Sequence, residues 1–221
     1  MQPHSIPNLE ELRLDWYGDA PRSHRLSFES NKIPNLRSLD LSGAIFQNTD
    51  EAFPPNLKFL RFHAGTANFT FPNPTGPLLP NLKTLLFSDV KWLIPETLEW
   101  FLRNTDTSLR VLSLDSCLGV SNGVGDFIKN GHFANLVELN LSRLPGIDDR
   151  VIDLLPANMS DLKVVHLSYS AITGRAIKML ADARFSGDKT AHIDRLYVKG
   201  CESVSSDAIA YGRASGVEIF T

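Results

Sequence analysis

One spacing runs through this chain from end to end. Leu-x-x-Leu-x-Leu, seen cleanly as Leu109-Arg-Val-Leu-Ser-Leu114, returns with apolar replacements at Leu9, Leu36, Leu57, Leu82, Leu136, Leu162 and Ile193. A degenerate copy is read from Ala214 through Val217 and Ile219. First positions are separated by 27, 21, 25, 27, 27, 26, 31 and 21 residues. Within each frame, positions 4 and 6 are apolar and the residues beside them vary, which is the period of two of a strand with one buried face. So short a strand buries nothing alone, so the copies must stack on one another. Helical-pair repeats, which need about 33 residues or more, are excluded by the same periods.

The frame and its period are those of a leucine-rich repeat. The expected fold class is an α/β leucine-rich-repeat solenoid: a right-handed horseshoe arc with a parallel β-sheet on its concave side and helices and irregular segments on its convex side. Residues 1-221 are expected to form a single domain of about nine repeats. The first frame begins at Leu9, and eight residues before it, Pro3 and Pro7 among them, are too few to cap an apolar edge. The expectation is therefore that the chain is the C-terminal part of a longer protein, or that another subunit covers that edge.

The returns between frames change character along the chain. Pro-Asn-Leu introduces the frames at Pro7, Pro34, Pro55 and Pro80, and Ala-Asn-Leu the one at Ala134. Proline stiffens the approach to the strand, and asparagine is expected to bond the turn backbone. Pro72, Pro74 and Pro77 forbid a regular helix between Gly65 and Pro80, where Phe69 and Phe71 are expected as plugs beneath an irregular return. Beyond Pro95, which suits a first helical position, Leu98, Phe101 and Leu102 form a one-sided stripe. Later returns align on Ser121, Asp148, Thr173 and Ser205, each an oxygen-bearing residue before a helical stripe and so an expected N-cap.

Cys117 and Cys201 both stand at position 9 of their repeats, three repeats apart. At about 4.8 Å per strand they lie roughly 15 Å from each other, beyond a disulfide's reach, so both are expected reduced and buried. These repeats resemble the cysteine-containing leucine-rich repeats of F-box proteins. The likeness is carried by Leu112-Ser-Leu-Asp-Ser-Cys117-Leu-Gly-Val-Ser121 and by Leu196-Tyr-Val-Lys-Gly-Cys201-Glu-Ser-Val-Ser205. The Pro-Asn-Leu style and the segment Ser205 to Val217 resemble fungal members, including those with tetratricopeptide repeats and an F-box upstream. The resemblance implies the substrate-recognition region of a Skp1-cullin-F-box ubiquitin ligase. Skp1 would then be reached only through an F-box, which these 221 residues do not contain. The alternative is a non-ligase scaffold or regulator of inhibitor or GTPase-regulating type.

Chemistry-bearing motifs are sparse. Gly119-Val-Ser121-Asn-Gly123 matches a hydrolase nucleophile elbow, but its alignment with Asp148, Thr173 and Ser205 gives Ser121 a capping role. His63, His132, His166 and His192 have no ligand spacing, so no metal and no cofactor are expected. Asp148, Asp149 and Asp153 suit the positive end of a helix. A net charge of −3 argues against nucleic-acid partners. No apolar run approaches the roughly 18 residues of a membrane span, and no signal peptide is present, so the expected setting is cytoplasm and/or nucleus without membrane attachment.

Alternation sends positions 3, 5 and 7 to the concave face. In the last rows this brings together His166, Arg195, Tyr197 and Lys199, with Arg143 and Tyr169 at position 8. Aromatics interleaved with cations suit a protein-binding surface, and the expected occupant is an acidic or phosphorylated segment of a protein substrate.

Overall fold

A computed structural model describes residues 6–15, 32–43, 46–48, 53–64, 67–69, 78–105, 108–185 and 192–221. The start of the chain, Phe71 and the prolines at 72, 74 and 77 lie outside the described residues, as does the side chain of Phe69. The chain divides into two compact units, Met1–Leu109 and Arg110–Thr221.

In the first unit the frames become strands β1 (Glu11–Asp15), β2 (Ser38–Ser42), β4 (Phe59–His63) and β6 (Thr84–Ser88), with two short strands, β3 (Phe46–Asn48) and β5 (Ala67–Phe69), in the returns. All pair in parallel, with β1, β2, β4 and β6 side by side and β3 on β5. Their register aligns the frames residue for residue, Asp40 opposite Arg61 and Arg61 opposite Leu86. The sequence supports the strands because every position 4 and position 6 from Leu39 to Phe87 is buried while the residues between are not. Helix α1 (Pro95–Asn104) starts on its proline and turns Leu98, Phe101 and Leu102 inward. Phe101 lies against Phe62 and Phe87, which stack on each other with ring centres 5.4 Å apart.

The second unit carries β7 (Val111–Asp115), β8 (Glu138–Asn140), β9 (Val164–His166), β10 (Arg195–Tyr197) and β11 (Glu218–Phe220), again parallel and in this order. Its returns are helical: α2 (Val124–Lys129), α3 (Asp149–Ile152), α4 (Leu155–Asn158), α5 (Gly174–Ala183) and α6 (Ser206–Ala214). Three of the expected caps are present. Asp148 accepts from the amides of Arg150 and Val151, Thr173 from Arg175, and Ser205 from Ala208. Asp149 also reaches into the next repeat, accepting from the Thr173 amide at 2.8 Å and its hydroxyl at 2.6 Å. Both cysteines are free and buried, as the spacing required.

Among the described residues nine parallel frame strands, four in one unit and five in the other, each followed or preceded by a short return, make this an α/β leucine-rich-repeat fold. Two expectations need correction. Ser121 is not a cap: it sits inside a 3-10 turn over Leu118–Gly123, buried, with its hydroxyl donating to the Leu118 carbonyl at 3.0 Å. The α-helix of this return begins only at Val124: Gly123 and Gly125 weaken its first turn, whereas Asp207 and Ile209 stand at the equivalent places after Ser205. The last frame is also displaced. Ile219 pairs with Leu196, so the copy begins at Gly216 and not at Ala214, which belongs to α6.

Every described residue at position 8 has a left-handed backbone: Gly43, Ala64, Asp89, Ser116, Arg143, Tyr169 and Gly200, with φ between 51° and 70°. A lateral hydrogen bond accounts for it. The position-8 amide donates to the position-7 carbonyl of the next repeat, Gly43 to His63, Ala64 to Ser88, Ser116 to Ser142, Arg143 to Ser168 and Tyr169 to Lys199, at 2.8–3.1 Å. Turning the chain off the strand while aiming that amide sideways requires positive φ, at a cost of about 1–3 kcal/mol for a non-glycine residue.

Candidate functional site

The open face of the second sheet carries the residues singled out by alternation. Arg195 and Tyr197 lie on β10 and His166 on β9, with His166 directly opposite Tyr197 in the parallel register. Parallel in-register pairing places like positions about 4.8 Å apart, close to the stacking distance of two rings. His166 and Tyr197 accordingly stack with centres 4.2 Å apart and planes 5° from parallel. Phe220 continues the row at 4.5 Å and 10°. Rings stacked along the line between strands stand on edge, so their rims face the space above the sheet.

Phe220 was missing from the sequence-derived set because of the displaced last frame. The two-residue shift sets Phe220 beside Tyr197 and Glu218 beside Arg195. Glu138, two residues before Asn140 on β8, lies 3.0 Å from the His166 Nε2. The row therefore reads Asn140, His166, Tyr197, Phe220, across four neighbouring strands, and Glu138 reaches His166 diagonally from the row of Val164 and Arg195.

Arg143 and Tyr169 form a second row, at the left-handed turns. Arg143 clasps Asp115 through two nitrogens, at 3.0 and 2.6 Å, and touches the Ser116 hydroxyl at 2.9 Å. The hydrogen bond with Asp115 raises the guanidinium pKa further above its ordinary value, so its charge is permanent but committed. Its central carbon also lies 6.0 Å from the centre of the Tyr169 ring. That ring covers Gly200, where an added Cβ would meet it at 2.4 Å, so Gly200 serves both a left-handed turn and a close approach.

Arg195 and Lys199 differ from Arg143. Both are exposed, and neither has a side-chain hydrogen bond or ion pair with any described residue. The six predicted residues thus divide. His166, Tyr197, Arg195 and Lys199 occupy one area, His166 with its partner Glu138, while Arg143 and Tyr169 brace neighbouring turns.

In the first unit the corresponding face is a charged lattice. Asp40 sits between Arg13 at 3.9 Å and Arg61 at 3.7 Å, and Arg13 also holds Asp15 at 2.8 Å. Among the described residues no three His, Cys, Asp or Glu side chains gather as metal ligands, and no helix is long and apolar enough to cross a membrane.

No family model matches the sequence, and no curated protein does. Solved structures similar to it include the yeast Rad7 and Elc1 complex, at 13% identity and a TM-score of 0.48 over 86% of this chain and 69% of that one. An internalin (InlF) from Listeria monocytogenes is similar at 14% identity and a TM-score of 0.49, over 87% of this chain. The chain spans 57% of the internalin.

Proposed function

We propose that the chain is a protein-interaction scaffold whose partner docks on the open sheet face of the second unit, at Arg195, Tyr197, Lys199, His166 and Phe220, with Arg143 and Tyr169 at its margin. The carrying observation is the row of stacked rings beside two exposed cations that have no partner among the described residues. Buried clusters of aromatics and arginine dominate binding energy at protein interfaces. The partner is a protein substrate, and the scaffold is the recognition region of a Skp1-cullin-F-box type ubiquitin ligase. That second step is supported by the two cysteine-containing repeats, Leu112 to Ser121 and Leu196 to Ser205, and by nothing in the geometry of the face.

A quantitative capture experiment tests both steps. The chain and a folded His166/Arg195/Tyr197/Lys199 alanine variant are compared against native extract, with retained proteins identified by mass spectrometry. Loss of a specific partner in the variant is the expected result, and equal retention by both overturns the docking face. Co-capture of Skp1 by the complete reading frame is expected of a ligase. A reading frame without an F-box leaves a scaffold or regulator of inhibitor or GTPase-regulating type.

A further inference from the structure

We infer that the ligand of this face is an extended acidic peptide segment of a partner protein, lying along β10 with two carboxylates four residues apart. The inference rests on the docking reading above and names its chemistry. Arg195, Tyr197 and Lys199 are positions 3, 5 and 7 of one repeat: Arg195 and Tyr197 share one face of β10, and Lys199 follows two residues past its end, in the turn. At about 3.3 Å per residue, Arg195 and Lys199 lie at most about 13 Å apart. An extended peptide has the same rise, so side chains at i and i+4 reach both cations while the residue at i+2 sits over Tyr197.

The rings reinforce the choice of an anion. An aromatic ring is negative on its face and positive at its rim, and the stack of His166, Tyr197 and Phe220 turns both faces of Tyr197 and one face each of His166 and Phe220 inward. What remains toward the ligand is a strip of positive rims between two cations. The same stacking argues against single-stranded nucleic acid, which needs free ring faces for its bases. Glu218, exposed and next to Arg195, opposes the carboxylate proposed for that end and so sets a limit on affinity. Glu138 stands in the same row as Arg195, two strands away across Val164, and is engaged by His166.

The test uses the full chain and fluorescence anisotropy with a labelled 12-residue Gly/Ser peptide carrying Glu at i and i+4 and Leu at i+2. Arg195→Ala and Lys199→Ala should each weaken binding about 3-fold and together about 10-fold, as for independent, solvated ion pairs. Glu218→Gln should tighten it about 2-fold. A peptide with its two Glu adjacent should lose the benefit of one cation, and a Lys-for-Glu peptide should not bind. Binding that ignores the double alanine variant, ignores the Glu spacing, or is displaced by oligothymidine overturns the proposal.

Failure of the peptide and failure of the face are distinguishable. If no acidic peptide binds while the captured partner is still lost in the alanine variant, the acidic-segment inference falls and the docking face stands. If the variant keeps the partner, the face itself falls.

Discussion

In the first unit, asparagines tie one return to the next: the Asn35 side chain donates to the Pro7 carbonyl, Asn56 to Pro34 and Asn81 to Pro55, at 2.7–3.0 Å. In the second, the same task falls to helices capped by Asp148, Thr173 and Ser205, with Asp149 bonding across to Thr173. The cores differ in step. Phe62 and Phe87 fill position 6 in the last two frames of the first unit, after Leu14 and Leu41, whereas the second buries Leu114, Leu141, Leu167 and Val198 there. The strand frame is thus the invariant, and what closes its far side is interchangeable, provided that every backbone group finds a partner and the core volume is filled.

Core truncations should test that equivalence most severely. Phe87→Ala is expected to cost about 3–5 kcal/mol and Leu139→Ala about 2–5 kcal/mol, since both side chains are fully buried. The second unit contains no tryptophan, whereas Trp92 and Trp100 belong to the first and most of the helix belongs to the second. Tryptophan fluorescence should then report Phe87→Ala and far-UV circular dichroism Leu139→Ala during urea unfolding. A Phe87→Ala chain with an unshifted fluorescence midpoint would break the claim that rings hold the first unit.

The closing devices come next. Asp148→Ala should cost about 0.5–2 kcal/mol as a lost cap. The hydrogen bond from Arg150 holds the Asp148 carboxyl below the usual carboxylate range. Because its folded pKa is depressed, the carboxylate's contribution is present above its unfolded value of about 4 and is lost as pH falls through the folded value. The gap between wild type and Asp148→Ala should therefore narrow between pH 7 and pH 3, and a constant gap would refute the assignment. Asn56→Ala should cost about 0.5–1.5 kcal/mol with no such dependence on pH, because an amide does not titrate. A similar cost at both sites would show the two closures to be equivalent.

The smallest effect belongs to the open face. Tyr197→Ala should cost about 1 kcal/mol, the ring-stacking contribution with partners on both sides, well below either core truncation. A reversed ranking would mean that the leucines and the tyrosine have exchanged faces.

The strand rows were legible because the alternation of Leu9 to Ile193 fixes both face and register, and each pairing from Glu11 opposite Ser38 to Val164 opposite Arg195 follows from it. The last strand escaped because a shift of two residues preserves parity. Val217 and Ile219 stay inward in either frame, and only the lateral neighbour changes. That is why Phe220 was missed. Ser121 misled for a different reason: it occupies the slot of a cap, but here a 3-10 turn holds Leu118–Gly123 and the α-helix begins only at Val124. The carboxylates that occupy Arg143 and neighbour Arg195 were also hidden, since alternation names the residues on a face and not their partners.

The left-handed turns have an evolutionary consequence. Glycine, alanine, aspartate, serine, arginine and tyrosine all occupy position 8 with the same backbone, all but the aspartate with the sideways hydrogen bond described above, and no β-branched residue is among those described. Since the geometry is imposed by the neighbouring repeat and not by the side chain, this site can be rewritten one repeat at a time without disturbing the core. Arg143 and Tyr169 are two such rewritings. Selection can therefore diversify the rim of the sheet while the leucines beneath remain fixed, with neighbouring rim positions adjusting to each other, as Arg143 does to Ser116 and Tyr169 and Gly200 does to the Tyr169 ring.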